Sequence, residues 1–200
     1  MCRATRVLVA ALFALACGGM PAAGRCQSIG IFADSGCETN CLNITQGPFQ
    51  FYVSADLAGA GMSSASFRIE GLSTEGLFFT LEFDYLPCFD CPCGIAGCSN
   101  PFTTPGIDMA WPSCQSGPCF PLFRVQGFAS VTPPQDTVLR VVGRTPPQDP
   151  MFDCPMITLC DSPVFTRMCV AGGTAIVNPS GECTVAVEAA SWSGIKSLYD

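Results

Sequence analysis

Cys88, Cys91, Cys93 and Cys98 stand in one short stretch, CFDCPCGIAGC. Four thiolates at this spacing can close a tetrahedral site on zinc or hold an iron–sulfur cluster. The pair Cys88-Phe89-Asp90-Cys91 also has the spacing of a redox dithiol, whose reactivity rests on a lowered thiol pKa. Such a pair needs a helix N-terminus behind it, and Pro92-Cys93-Gly94 does not start one. The third reading is a loop stapled by disulfides, which is the one expected of an exported chain because oxidation competes with metal loading.

Carboxylates offer a second chemistry. Glu70, Glu75, Glu82 and Asp84 lie close in sequence, and Glu82 and Asp84, two apart on a strand, share a face. Two convergent carboxylates would serve as the acid and base of a secreted hydrolase acting on glycosides. The same residues equally suit the solvated outer face of a strand. Asp34, Glu38 and Asn40 carry oxygen ligands for calcium, but their spacing lacks the regular loop of an EF-hand. The chain has no His, which excludes Ser-His-Asp and Cys-His catalysis and every His-ligated metal site. No cofactor motif is present, and no cofactor is expected. Exposed aromatics are the remaining candidates. Tyr52 and Phe78 fall on the otherwise polar faces of their segments, and Trp111 sits beside Pro112 near a loop. A flat row of such rings suits a sugar or a protein surface.

The leading segment sets the compartment. Arg3 and Arg6 precede the apolar run Val7–Cys17, and small residues follow through Gly24. This order predicts a signal peptide over residues 1–24 and one disulfide-rich domain over residues 25–200. Ala14-Leu15-Ala16-Cys17 also matches a lipobox, in which Cys17 would be acylated. A membrane contact is expected only in that case. Removing residues 1–24 takes away two of 15 Cys, so an odd number remains and at least one must stay free, pair outside the chain or be modified. The disulfide candidates are Cys26, Cys37, Cys41, Cys88, Cys91, Cys93, Cys98, Cys114, Cys119, Cys154, Cys160, Cys169 and Cys183. Close spacing suggests local staples at Cys37 and Cys41 and at Cys114 and Cys119, while the later cysteines suit longer bridges. The pairing is left open. With 9 basic against 16 acidic residues, the chain has too few cations to neutralise phosphates, so no nucleic-acid partner is expected.

These side chains must be positioned by strands. Phe49–Leu57 alternates Phe49, Phe51, Val53, Ala55 and Leu57 on one side with Gln50, Ser54 and Asp56 on the other. Ala65–Glu70 repeats the pattern, and Leu77–Tyr85 turns Leu77, Phe79, Leu81, Phe83 and Tyr85 inward. Further strands are expected at Ile29–Phe32, Ile107–Trp111, Leu122–Phe128, Thr137–Val142, Met156–Leu159, Val164–Val170, Thr174–Val177 and Cys183–Glu188. Ser191 and the spacing of Trp192, Ile195 and Tyr199 predict a short C-terminal helix. Strands with one polar face need a second apolar layer, so the expected fold is all-β: a two-sheet sandwich or jelly roll with a Cys-rich loop.

Phe49–Leu57 followed by Met62–Glu70 resembles the opening strands of cohesin-like bacterial domains, a strand, a Gly-rich turn and an x-Phe-x-hydrophobic strand. Val170–Val177 looks like their closing strand, and Trp192–Tyr199 resembles the ending of secreted bacterial proteins. The resemblance implies a jelly-roll sandwich acting as a non-enzymatic adhesion or binding module. The cysteine density departs from cohesins and puts a dockerin-type partner in question. The expected function is an exported module of the cell surface or extracellular space with a protein or carbohydrate ligand. The alternatives are the carboxylate hydrolase and the thiolate metal site at Cys88–Cys98.

Overall fold

Every regular element in the computed structural model is a strand among the described residues, 27–83, 100–147, 151–160 and 166–181. In chain order these are β1 (Ser28–Phe32), β2 (Cys41–Leu42), β3 (Gly47–Asp56), β4 (Gly61–Glu70), β5 (Leu77–Glu82), β6 (Ile107–Ser116), β7 (Phe120–Ala129), β8 (Thr137–Val142), β9 (Met156–Leu159), β10 (Thr166–Cys169), β11 (Ala171–Gly172) and β12 (Thr174–Val177). The expected leader, Cys17, Cys26, the Cys88–Cys98 cluster, Asp84, Cys183 with its strand, and the C-terminal helix all lie outside the described residues.

The strands form two sheets. One has the order β11-β1-β3-β7-β5. The other runs β10-β9-β4-β8-β12-β2, with β6 also paired to β4. Alternation explains the layering. The residues of β3 and β5 that recur at every second position are apolar, and a strand turns those side chains to one face. Phe49, Phe51, Val53 and Ala55 of β3 are buried, as are Ala65, Phe67 and Ile69 of β4. They meet between the sheets: Phe67 stacks on Phe123 of β7, with ring centroids 6.1 Å apart. Phe102, in the loop before β6, closes one end of this core edge-on to both Phe51 and Phe79.

The closing segment stitches the two sheets. β11 pairs in parallel with β1, and β12 then pairs antiparallel with β8 and in parallel with β2. Gly173 sits at the crossing, donating its N–H to Ile29 O at 2.8 Å while its carbonyl accepts from Val141 N at 3.0 Å. A Cβ at Gly173 would lie 3.0 Å from Gly30 Cα, and one at Gly172 would collide with Val141 O. The approach at Gly172 admits only glycine, and a side chain at Gly173 would push its neighbours aside.

Asn178 ends β12 and holds three segments together. Its backbone lies at φ 50°, a left-handed conformation that Asn tolerates better than most residues. Its Oδ1 accepts from Ile44 N at 2.8 Å, and its Nδ2 donates to Ile44 O at 2.8 Å and to Pro133 O at 3.0 Å. Asn178→Ala removes all three bonds and puts a Cβ-only residue in the left-handed region. It is expected to cost about 2–3 kcal/mol. Urea unfolding checks this: the midpoint should fall with an unchanged slope, whereas a midpoint shift worth under about 0.5 kcal/mol would show that water replaces the bonds at no cost.

The turn before β8 is tied to the same segment after β12. Asp136 Oδ1 accepts from Ser180 N at 2.9 Å. The backbone and hydroxyl of Ser180 hold the Asp136 carboxyl below its ordinary value near 3.8. A carboxyl with a lowered folded-state pKa contributes stability that is present above the unfolded value and lost as pH falls through the folded one. Below about pH 3.8, wild type should therefore lose stability that Asp136→Asn lacks at every pH. Parallel slopes of stability against pH for the two proteins would refute the linkage.

Candidate functional site: the outer face of the five-stranded sheet

On β3, β7 and β5 the side chains that turn away from the core form rows across the strands. Pro48, Phe128 and Phe78 stand side by side in the first row. Gln50, Gln126 and Thr80 form the second. Phe32, Tyr52, Arg124 and Glu82 form the third, which extends onto β1. Successive rows are about 7 Å apart along the strands, and neighbouring strands about 4.8 Å apart. A platform of three rows results.

The first row is apolar and open. Phe78 is 68% exposed and Phe128 52%. Val131 is also exposed and packs beside Gly76, at the turn that leads into β5. The second row is polar and uncharged. Gln50, Gln126 and Thr80 are all exposed, and among the described residues neither glutamine amide hydrogen-bonds to another protein group. Thr80 Oγ1 donates to the Gln126 carbonyl at 3.4 Å. The third row is internally satisfied. Arg124 Nε donates to Glu82 Oε2 at 3.1 Å, and the Arg124 terminal nitrogen bonds the same oxygen. Hydrogen bonds to Glu82 first and Tyr52 second push the guanidinium pKa up, so this cation is charged at every accessible pH. Phe32 folds back over Gly30, where a Cβ would lie 2.5 Å from its ring.

The structure sorts the aromatics named from sequence. Phe78 is on the open face, and Tyr52 is half-buried in the third row. Trp111 is not a surface aromatic. It shares the inward alternation of β6 with Ile107 and Met109 and packs edge-on to Phe120, leaving it 5% exposed. Phe128 is the aromatic that sequence reading missed. In uninterrupted alternation, Phe128 falls on the same side as Leu122, which is apolar and therefore inward. The β3–β7 ladder shifts register between Val53 and Ser54, so that Leu122 and Phe123 are both buried. This bulge reverses the phase beyond it and turns Phe128 outward.

Among the described carboxylates, Glu70 and Glu82 do not converge. Glu82 is engaged by Arg124 on the outer face of the five-stranded sheet. Glu70 is held by Arg68 at 2.5 Å on the outer face of the other sheet. Glu75 lies in the exposed connection between β4 and β5. The core separates Glu70 from Glu82, so these two cannot act on one bond. The calcium candidate is occupied from within. Both carboxylate oxygens of Asp34 accept backbone N–H groups, from Gly36 at 2.8 Å, Glu38 at 3.1 Å and Thr39 at 2.8 Å. Asn40 Nδ2 donates to Thr174 O at 3.2 Å. Among the described residues no group of three or more Cys, Asp or Glu is placed to hold a metal ion.

The sulfur links differ from the local staples. Cys37 pairs with Cys119, Cys114 with Cys160, and Cys154 with Cys169, with Cα separations of 6.0, 5.8 and 5.6 Å. Cys41 is also disulfide-bonded. Cys37 and Cys41 are separated because the loop after β1 swings toward the β6–β7 turn while Cys41 enters β2. Cys114 lies on β6, in the seven-stranded sheet, and Cys119 just before β7, in the five-stranded one, while Cys114 meets Cys160 at the end of β9. Gly61 makes room for the Cys114–Cys160 link, because a Cβ there would collide with Cys114 Sγ.

No protein-family model matches the chain, and no curated protein matches it. Among solved structures, the chain resembles a cohesin module from Clostridium perfringens ATCC13124 family 33 glycoside hydrolase. The likeness has 8% identity and a TM-score of 0.42 over 77% of this chain and 98% of that one.

Proposed function

We propose that the chain is an exported, non-enzymatic binding module that takes a protein or carbohydrate ligand on the outer face of its five-stranded sheet. One observation carries this reading: two large rings, Phe78 and Phe128, stand in register in solvent. Each exposed ring forgoes the roughly 2 kcal/mol that burial would return. Partnered aromatics on an otherwise polar face mark an interaction surface more often than scattered single residues do. The disulfides support export, since such links form and persist in oxidising compartments.

Co-sedimentation of the purified, oxidised protein with cell-envelope material of the producing organism tests the reading. Phe78→Ala/Phe128→Ala should reduce the bound fraction at least about tenfold, the effect of losing two central aromatic contacts. Val138→Ala, an exposed apolar change on the other sheet, should leave binding unchanged. Equal binding of wild type and the double variant would remove this face from the function.

A further inference from the structure

We infer that the ligand of this face is an uncharged polysaccharide, an inference that rests on the reading above. Three features of the platform select the ligand chemistry. The first is area. Phe78 and Phe128 expose 68% and 52% of their surfaces, together roughly 250 Å2 of ring. A stable protein interface needs about 800 Å2 on each partner with a contiguous buried core. Two adjacent rings at strand spacing, about 4.8 Å apart in the sheet, fall well short of that but match one or two sugar rings lying flat.

The second feature is the neighbouring row. Gln50, Gln126 and Thr80 lie about 7 Å from the rings on the same face. The two amides offer donors and acceptors together, and neither is engaged by another protein group among the described residues. A sugar presents an apolar ring face and a rim of hydroxyls, each both donor and acceptor. Apolar rings beside mixed donor–acceptor amides match that division. A protein hot spot instead centres on Trp, Tyr and Arg set in desolvated pockets.

The third feature is charge. The chain carries a net charge of −7, yet the three rows hold only Arg124 and Glu82, which are paired to each other. The net charge would repel a polyanion, and no free cation stands among the rings and amides to bind one. An uncharged ligand meets neither obstacle.

Affinity electrophoresis of the oxidised full chain decides the question, with one soluble polysaccharide in each gel. The neutral set is a mixed-linkage β-glucan, a xyloglucan, a galactomannan and a soluble starch; the acidic set is an alginate and a polygalacturonate. At least one neutral gel should retard wild type, and no acidic gel should retard it more. Phe78→Ala and Phe128→Ala should each weaken the interaction about tenfold or more, and Gln50→Ala/Gln126→Ala by several-fold, while Val138→Ala should match wild type. Thermal midpoints of the variants confirm that each is folded. In parallel, the envelope material is treated with periodate, which cleaves sugar diols, or with protease. Periodate should abolish co-sedimentation and protease should not. Stronger retardation by an acidic gel, or retardation that survives both ring substitutions, overturns the inference. So does ring-dependent co-sedimentation that resists periodate and yields to protease, although that result leaves the binding-module reading standing. Co-sedimentation indifferent to Phe78 and Phe128 overturns both.

Discussion

Replacing Cys37 and Cys119 together by serine is expected to lower the unfolding free energy by about 4.5 kcal/mol, the largest effect of any link among the described residues. The reason is loop length. This bridge spans 82 residues of sequence, against 46 for Cys114–Cys160 and 15 for Cys154–Cys169. In the chain-entropy picture the shorter links are worth about 4 and about 3 kcal/mol. The closed loops of Cys37–Cys119 and Cys114–Cys160 overlap only between positions 114 and 119, so neither bridge appreciably shortens the loop closed by the other. Both Cys37 and Cys119 are half-buried, so serine hydroxyls there retain access to water and add little desolvation cost. Urea unfolding of the three double-serine variants gives the ranking. If the Cys154–Cys169 variant proves the weakest of the three, the entropic account fails, and the bridges act through contacts in the folded state.

Phe67→Ala is expected to cost about 3–5 kcal/mol, the second large effect. Phe67 is fully buried on β4, in the middle of its sheet, and its ring lies parallel to that of Phe123 on the opposite sheet, at an interplanar angle of 5°. Phe83 meets Phe123 edge-on at 5.8 Å, so truncating Phe67 opens a void against a ring that Phe83 still holds in place. Backbone hydrogen bonding of β4 to three strands resists collapse into that void. Phe67→Leu keeps much of the volume and should cost about half as much. Phe78→Ala provides the contrast. It removes an equally large ring from solvent and should change stability by less than about 0.5 kcal/mol. Similar costs at positions 67 and 78 would contradict the assignment of one ring to the interface between sheets and the other to the outer face.

The inside and outside of the strands were legible where alternation ran unbroken. In β3 and β5 the residues read as inward are the ones packed in or against the core, and Phe78 is exposed as its position implies. Ser54, read as outward, is instead buried, at the point where the β3–β7 ladder shifts register. β8, β9 and β12 have the expected boundaries. The two-residue strands β2 and β11 were not legible, because a pair of residues carries no period. They exist because the loop after β1 and the closing segment run beside strands distant in sequence. Trp111 was misread for a related reason. Pro112 suggests a chain break, whereas β6 continues through it to Ser116.

The candidate site divides in the same way. Phe78 and its polar neighbours on β5 follow from local pattern alone. Phe128 joins them only because a bulge in the β3–β7 ladder shifts the phase by one residue, a property of how two strands register.

Side-chain period is a local quantity, so the sequence by itself determined the strand character of the described residues, their buried stripes and the absence of histidine chemistry. Which cysteine meets which, which carboxylates face apart, and which rings share a row depend on contacts between distant segments. Those were decided only when two sheets packed face to face, because burying both apolar faces at once selects one register among the many that local pattern permits.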